Sequence, residues 1–294
     1  MKRLDDSFIT PEKRVSMGKL LRSLLLFLTL TLSARSADAT NQTSVFLDPN
    51  LEAAVRQQVF AKRYTNSPLT AADVANVSTV VANFRGITNL TGLEHCKALA
   101  ALELSGNRIT QLAPLSGLRQ LQQLLLSSNR IADITPLGTL PALQYIELSF
   151  NSVEDIAALA SLTNLASVYL GNNKLTSLAA LTNLPRLVTL YAETNSLKSI
   201  EGLQNLRSLS GVSLSGNRLV DVAPLTGLRA PSFIFLERNR IKDLAPLNAW
   251  ITNDLAGPRS FAPYLQLYLK GNSLNSKSKK LVADWTKAGV RVHP

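Results

Sequence analysis

The chain offers few side chains that could perform catalysis. It contains two histidines and one cysteine, and one of the histidines, His95, stands directly before Cys96. A neighbouring histidine can activate a thiol as a nucleophile, and both side chains can bind a metal ion. The other histidine, His293, is the next-to-last residue. Because no Ser-His-Asp set, carboxylate pair or metal-ligand spacing accompanies them, we expect no catalytic residue, no metal site and no cofactor.

A second kind of chemistry is recognition by aromatic and acidic side chains. These residues stand two, four or six positions before regularly spaced asparagines, so in strands they would all point to one face. Tyrosine supplies contact area and a hydrogen-bonding hydroxyl, which interfaces favour, whereas stacking between neighbouring strands could instead serve the sheet itself. We predict a ligand-binding surface made of Tyr145, Glu147, Tyr169, Tyr191, Glu193, Phe233, Phe235 and Tyr268.

Basic residues occupy the position after many of the same asparagines. They could form an edge that docks an acidic protein, lipopolysaccharide or a membrane surface, or simply a solvated face that keeps the protein soluble. Acidic residues such as Glu103 and Glu237 interrupt the positive field, which argues against nucleic acid, since a duplex needs a continuous basic footprint. The basic edge comprises Arg108, Arg130, Lys174, Arg218 and Arg240.

A fixed 22-residue interval sets the elements that position these side chains. Seven asparagines follow each other at that spacing, and an eighth comes after an 11-residue insertion near residues 250–263. The leucine-rich-repeat signature surrounds each of them, and it predicts an α/β fold: a right-handed solenoid, or horseshoe, with a parallel sheet on its concave face. Its convex side is expected to be 3-10 or irregular, with helical caps at both ends. The asparagines are Asn107, Asn129, Asn151, Asn173, Asn195, Asn217, Asn239 and Asn272.

The asparagine column is interpreted as structural. Buried turn amides and carbonyls need partners, and an amide side chain supplies both donors and an acceptor. An outward neighbour such as Asn172 is predicted to be dispensable. The same register puts Cys96 in the slot that Leu118 and Leu140 occupy in later coils, so we predict a core position for it rather than a reactive one.

Four segments are expected along the chain. Residues 1–39 have the character of a secretory signal peptide, with basic residues before an apolar run and a small-x-small site ending at Ala39. Residues 40–76 should form an N-terminal cap with helices beginning at Asp48-Pro49 and at Thr70, and residues 77–275 an array of eight to nine coils. Residues 276–294 should close the array with a helix over 276–288 and a strand over 290–292.

Export is expected from this organisation, to the periplasm or the medium. Met17 offers an alternative start that gives a more usual signal length. Cleavage after Ala39 removes seven Lys or Arg and four Asp or Glu, which leaves a net charge of about +8 and a mature chain without a membrane span. A basic balance favours acidic partners in a general way only.

Several segments resemble the bacterial internalin family from about Val45 onward. They are Leu47-Asp48-Pro49-Asn50-Leu51, Ile87-Thr88-Asn89-Leu90-Thr91-Gly92-Leu93-Glu94 and Asp133-Ile134-Thr135-Pro136-Leu137. The resemblance implies an exported bacterial protein that binds another protein with its concave face. Together with the outward aromatics, this favours a monomeric, non-enzymatic protein-binding module. The alternative is an envelope glycan or lipopolysaccharide binder whose tyrosines stack on sugars while the basic edge meets phosphates.

Overall fold

Ten parallel strands form one open sheet in the computed structural model, which describes residues 43–294. The strands pair in chain order, and from β1 to β8 each residue pairs with the one 22 positions further on. The predicted solenoid, with its sheet on the concave face, is therefore confirmed. The strands are β1 Thr79–Val81, β2 Ala101–Glu103, β3 Gln123–Leu125, β4 Tyr145–Glu147, β5 Ser167–Tyr169, β6 Thr189–Tyr191, β7 Gly211–Ser213, β8 Phe233–Phe235, β9 Gln266–Tyr268 and β10 Arg291–His293.

Each coil buries the same side of its strand. In most strands the middle residue points inward while the two flanking residues stay partly exposed, as in Tyr145–Glu147, where Ile146 is fully buried. Leucines from the return path meet these residues, and one continuous core extends from Phe46 to Val290. A single coil could not bury this face alone, so stacking supplies the stability.

Short 3-10 turns, rather than α-helices, carry the chain back across the convex side of most coils. Several begin with an Ala-Pro or Thr-Pro pair, which suits a first turn because proline fixes φ and needs no donor there. These turns are Leu93–His95, Ala113–Leu115, Thr135–Thr139, Ala157–Ser161, Ala179–Leu181, Leu203–Asn205 and Ala223–Gly227.

Each asparagine of the column joins its own coil to the preceding coil by hydrogen bonds. In the middle of the array, Asn173 Oδ1 accepts from the Val153 amide at 2.9 Å. Its Nδ2 donates to the Leu148 carbonyl at 3.0 Å and to the Leu170 carbonyl at 3.1 Å. The same pattern recurs at every repeat as far as Asn272, which bonds to Ile241 and Leu236.

The residue before each ladder position has a left-handed backbone. Asn172, at φ 56°, belongs to this column, so its replacement by alanine is expected to add backbone strain that the sequence pattern does not indicate. A side chain with a Cβ is strained in this region, and asparagine tolerates it better than most. The full column is Phe84, Gly106, Ser128, Phe150, Asn172, Thr194, Gly216, Arg238 and Gly271.

Two helices close the N-terminal end, α1 over Pro49–Arg56 and α2 over Ala71–Val74. Asp48 caps α1 with one carboxylate oxygen, and its other oxygen accepts from the Thr88 amide at 2.8 Å. Burial acts to raise the pKa of Asp48, but these amide hydrogen bonds outweigh it and lower the pKa. One aspartate thus ties the cap to the first coil. A capping box between Thr70 and Asp73 begins α2.

Two longer helices shape the C-terminal end, α3 over Ala245–Ala256 and α4 over Ser276–Lys287. The helix predicted for α4 extends one residue too far, and the last strand begins one residue later than predicted. Helix α3 is not among the predicted elements, because the insertion has the sequence character of an irregular return segment. It begins before the insertion, and it therefore replaces the 3-10 turn of an ordinary coil.

The insertion packs on itself through one aromatic contact and one buried carboxylate. Trp250 of α3 stacks on Phe261 with ring centroids 4.3 Å apart. Asp254 accepts from the Ser260 hydroxyl at 2.6 Å and from the Ala262 amide at 2.8 Å. The loop after α3 is therefore held against the helix, and β9 follows it.

The predicted signal peptide and its cleavage site at Ala39 lie outside the described residues. Within residues 43–294, no helix has the length and apolar character needed to cross a membrane.

Candidate binding surface

The His95–Cys96 pair does not form a reactive centre. Cys96 is fully buried, and burial together with the nearby charge of Glu94 raises the pKa of its thiol to about 12. Since the thiolate is the reactive form, the side chain is inert at neutral pH. His95 lies at the surface, with Nε2 3.9 Å from a Glu94 oxygen. Residues 43–294 contain no group of three His, Cys, Asp or Glu side chains placed to hold a metal ion.

The outward aromatic residues form a continuous row along the concave sheet, which we call the aromatic row: Tyr145, Tyr169, Tyr191, Phe233, Phe235, Tyr268 and His293. Successive ring centroids in its first part, Tyr145 to Tyr169 and Tyr169 to Tyr191, lie 5.2 Å apart. Such edge and tilted arrangements are the ones aromatic pairs prefer. Burial, with the nearby phenol of Tyr169, raises the pKa of Tyr145 to about 12.

Small residues on β7 let the row continue across one strand. The outward positions there are Gly211 and Ser213, and the rings of Tyr191 and Phe235 approach each other to 6.4 Å over them. Phe233 stands beside Phe235 with the two rings nearly parallel at 6.3 Å. With a relative exposure of 41%, Phe233 is the most open of the tyrosines and phenylalanines in the row.

His293 completes the row at the C-terminal end. Tyr268 stacks on Phe235 at 4.5 Å on one side and on His293 at 4.2 Å on the other. In the sequence, His293 stands out only as a residue near the terminus. The pairing of β10 with β9 places His293 beside Tyr268. The two residues are 25 positions apart and not 22, so the repeat pattern does not predict that they are neighbours.

Two carboxylates lie among the tyrosines. Glu147 Oε1 accepts from the Ser149 amide at 2.7 Å, yet burial, aided by the charge of Glu193, raises the pKa of Glu147 above its ordinary value. Oε2 of Glu193 is buried and has no hydrogen-bond partner among the described residues. Glu147 thus keeps one amide partner, whereas one oxygen of Glu193 is buried without any, an arrangement that costs free energy.

The predicted basic edge is exposed and discontinuous. All five of its residues are exposed, and within the described chain only Lys174 makes an ion pair, to Glu154 at 3.3 Å. Exposed pairs of this kind contribute little. Ser152 and Ser196 occupy the same position in the intervening coils and divide the edge into separate parts.

Comparison with known proteins agrees with this architecture. A family model for two copies of leucine-rich repeats matches residues 119–161 and 163–205. Internalin C2 of Listeria monocytogenes has a solved structure with 29% identity and a TM-score of 0.65, covering 72% of this chain and 95% of that one. The chain contains leucine-rich repeats, and it resembles an internalin in sequence and fold.

Other solved structures share the solenoid alone with the internalin-like chain. A leucine-rich-repeat protein of Leptospira interrogans has 17% identity and a TM-score of 0.62, covering 78% of this chain and 66% of that one. A plant peptide hormone receptor, RGFR1 in complex with RGF2, has 24% identity and a TM-score of 0.52, covering 62% and 33%. The sequence has no match among curated proteins.

Proposed function

We propose that this internalin-like chain is an exported, non-enzymatic module that binds another protein with the concave face of its solenoid. The aromatic row is the observation that supports this most. Seven rings on one face serve no core, and exposed apolar clusters of this kind mark interaction sites. Leucine-rich-repeat relatives support a binding scaffold in general terms, and one of them, the plant receptor RGFR1, was solved in complex with RGF2.

The glycan or lipopolysaccharide alternative draws less support. It needs phosphates along a basic edge, and this edge is broken by serines. Its binding should also weaken strongly with salt, because exposed charges are screened. Binding through the aromatic row should depend on salt much less, which separates the two functions.

Replacing Tyr169 and Tyr191 together by alanine should reduce the binding free energy for a captured partner by at least about 2 kcal/mol, because large aromatic side chains are the usual energetic hot spots. Immobilised mature protein would first capture partners from bacterial envelope and host extracts, and the affinity of each captured protein would then be measured. The matched control replaces Tyr64 and Tyr264, which are 89% and 66% exposed and lie outside the strands. Equal affinities for the two double variants would show that the concave face is not the binding surface.

Replacing Arg130 and Arg218 by alanine tests the edge separately. We expect a small loss that shrinks as salt rises. If this variant no longer binds while the Tyr169 and Tyr191 double variant binds normally, the ligand is an anion held along the basic edge.

Export predicts a processed N-terminus. Protein purified from the periplasm or the medium should begin at or near Thr40, since Ala39 ends the small-x-small site. N-terminal sequencing that finds the apolar run of residues 24–32 retained would instead indicate a membrane-tethered protein.

A further inference from the structure

The two carboxylates of the concave face are brought together by a missing side chain. Gly171 stands between Ser149 and Glu193 in the outward position two residues before the ladder asparagines. The Glu193 carboxylate occupies the space that a Cβ on Gly171 would take. Glu193 therefore leans across one coil, a distance of about 4.8 Å, toward the strand that carries Glu147.

Aromatic residues lie on the strands that carry or adjoin these two carboxylates. Tyr145 lies on the same strand as Glu147, and Tyr169 pairs with Glu147 in register on the next strand. Tyr191 lies on the strand that precedes Glu193, with its ring edge against Tyr169. The negative faces of such rings attract a cation, most strongly where water is excluded.

The fold itself does not account for the arrangement. Burial and, to a smaller extent, the charge of Glu193 raise the pKa of Glu147, and Oε2 of Glu193 has no partner in the described chain. Glu103 on the same sheet face differs, because its Oε2 accepts from Asn83 Nδ2 at 3.1 Å. Positions where a folded chain keeps a locally unfavourable arrangement, such as an unpaired buried polar atom, are commonly functional.

We propose that Glu147 and Glu193, with Tyr145 and Tyr169, form a receptor site for an arginine side chain of the protein partner. The inference rests on the proposed function and deepens it. Charge complementarity selects the occupant, since two neighbouring carboxylates, one with an oxygen that has no partner among the described residues, favour a cation on an otherwise basic chain. Arginine fits better than lysine because its planar guanidinium stacks on aromatic rings and pairs with a carboxylate through two parallel hydrogen bonds.

The test uses butylguanidinium as the probe and butylurea as its neutral counterpart. Added to isotope-labelled mature protein, butylguanidinium should shift the Ser149 amide resonance saturably, because that amide donates to Glu147 Oε1. Butylurea should leave it unchanged. Glu147→Gln should weaken probe binding about tenfold or more, the usual effect of removing a charged hydrogen-bond partner.

Two further variants separate the site from the fold. Gly171→Ala should weaken the probe as well, since its new methyl group displaces the Glu193 carboxylate while the backbone there is one that alanine can adopt. Glu103→Gln should not change binding. Thermal melting should show that Glu147→Gln is no less stable than wild type at neutral pH, because the raised pKa means that the fold disfavours the charged form.

The inference fails if butylguanidinium and butylurea act alike, or if Glu147→Gln and Gly171→Ala bind the probe as wild type does. Whether protein capture depends on Tyr169 and Tyr191 distinguishes this failure from a failure of the proposed function. If the tyrosine pair is required for capture while the probe does not bind, the concave face binds protein without an arginine site. Should neither result appear, both proposals are wrong.

Discussion

Replacing Asn173 by alanine is expected to lower the free energy of unfolding by about 1 to 3 kcal/mol, the usual cost of leaving one buried backbone group unpaired. The change leaves the Val153 amide without its partner. The Leu148 and Leu170 carbonyls each lose one donor but keep another, Nδ2 of Asn151 and of Asn195. Urea unfolding followed by circular dichroism would measure the loss.

The control for this experiment is Asn172→Gly. Glycine adopts the left-handed backbone of Asn172 without strain, so stability should change by only a few tenths of a kcal/mol. Asn172→Ala is unsuitable, since it would add strain of about 1 kcal/mol. Equal losses at positions 172 and 173 would mean that the asparagine hydrogen bonds contribute nothing particular.

Asp254→Ala should destabilise the C-terminal end by about 3 kcal/mol or more. The buried carboxylate accepts four hydrogen bonds, from the Ser260 amide and hydroxyl and from the amides of Phe261 and Ala262. Removing it leaves the Phe261 and Ala262 amides buried and unpaired. Asp221→Ala is the matched control, because that exposed carboxylate accepts one amide hydrogen bond, from Ala223 at 2.8 Å.

The contribution of Asp254 should also depend on pH. Burial acts to raise its pKa, but the hydrogen bonds outweigh burial and lower the pKa below the ordinary 3.8. A lowered pKa in the folded state gives stability that is present above pH 3.8 and is lost as pH falls through the folded value. Acid titration of unfolding should therefore be steeper for wild type than for Asp254→Asn, and coincident curves would contradict the assignment.

Much of the solenoid could be predicted because its pattern is local and repeated. Leu102, Leu124 and Ile146 recur at one interval, so one coil predicts the next. The left-handed column could not be predicted in this way because only three of its nine members are glycine, and a turn that tolerates Phe84 or Arg238 leaves no compositional signal. Backbone geometry there is imposed by the stacked coils rather than by residue type.

The candidate site could be predicted only in part for a similar reason. Strand alternation identifies which residues face outward, and it identifies Tyr145, Tyr169 and Tyr191 without further information. It does not say which way an outward side chain leans. Glu193 turns toward Glu147 because Gly171 leaves room, and His293 joins the row because β10 pairs with β9 after an irregular step. Both are consequences of contacts between coils.

Helix α3 could not be predicted because its buried face includes a charge. Leu247 and Ile251 give the apolar spacing of a helix, but the next turn places Asp254 inward, where a sequence pattern expects a leucine. The partners that make this acceptable, Ser260 and Ala262, come from the loop that follows. Nothing within the helical segment alone indicates them.

Both tryptophans of the chain lie in the C-terminal part, Trp250 stacked on Phe261 and Trp285 buried with Nε1 donating to Asn248 at 3.1 Å. The concave surface has tyrosines and no tryptophan. Selective excitation of indole therefore reports on that end of the molecule alone, while tyrosine emission is weighted toward the middle coils. A stack in which each coil contacts only its neighbours can come apart in stages. Melting curves recorded separately from tryptophan and from tyrosine fluorescence would reveal such stages without any added label. Coincident curves would show that the solenoid unfolds as one cooperative unit.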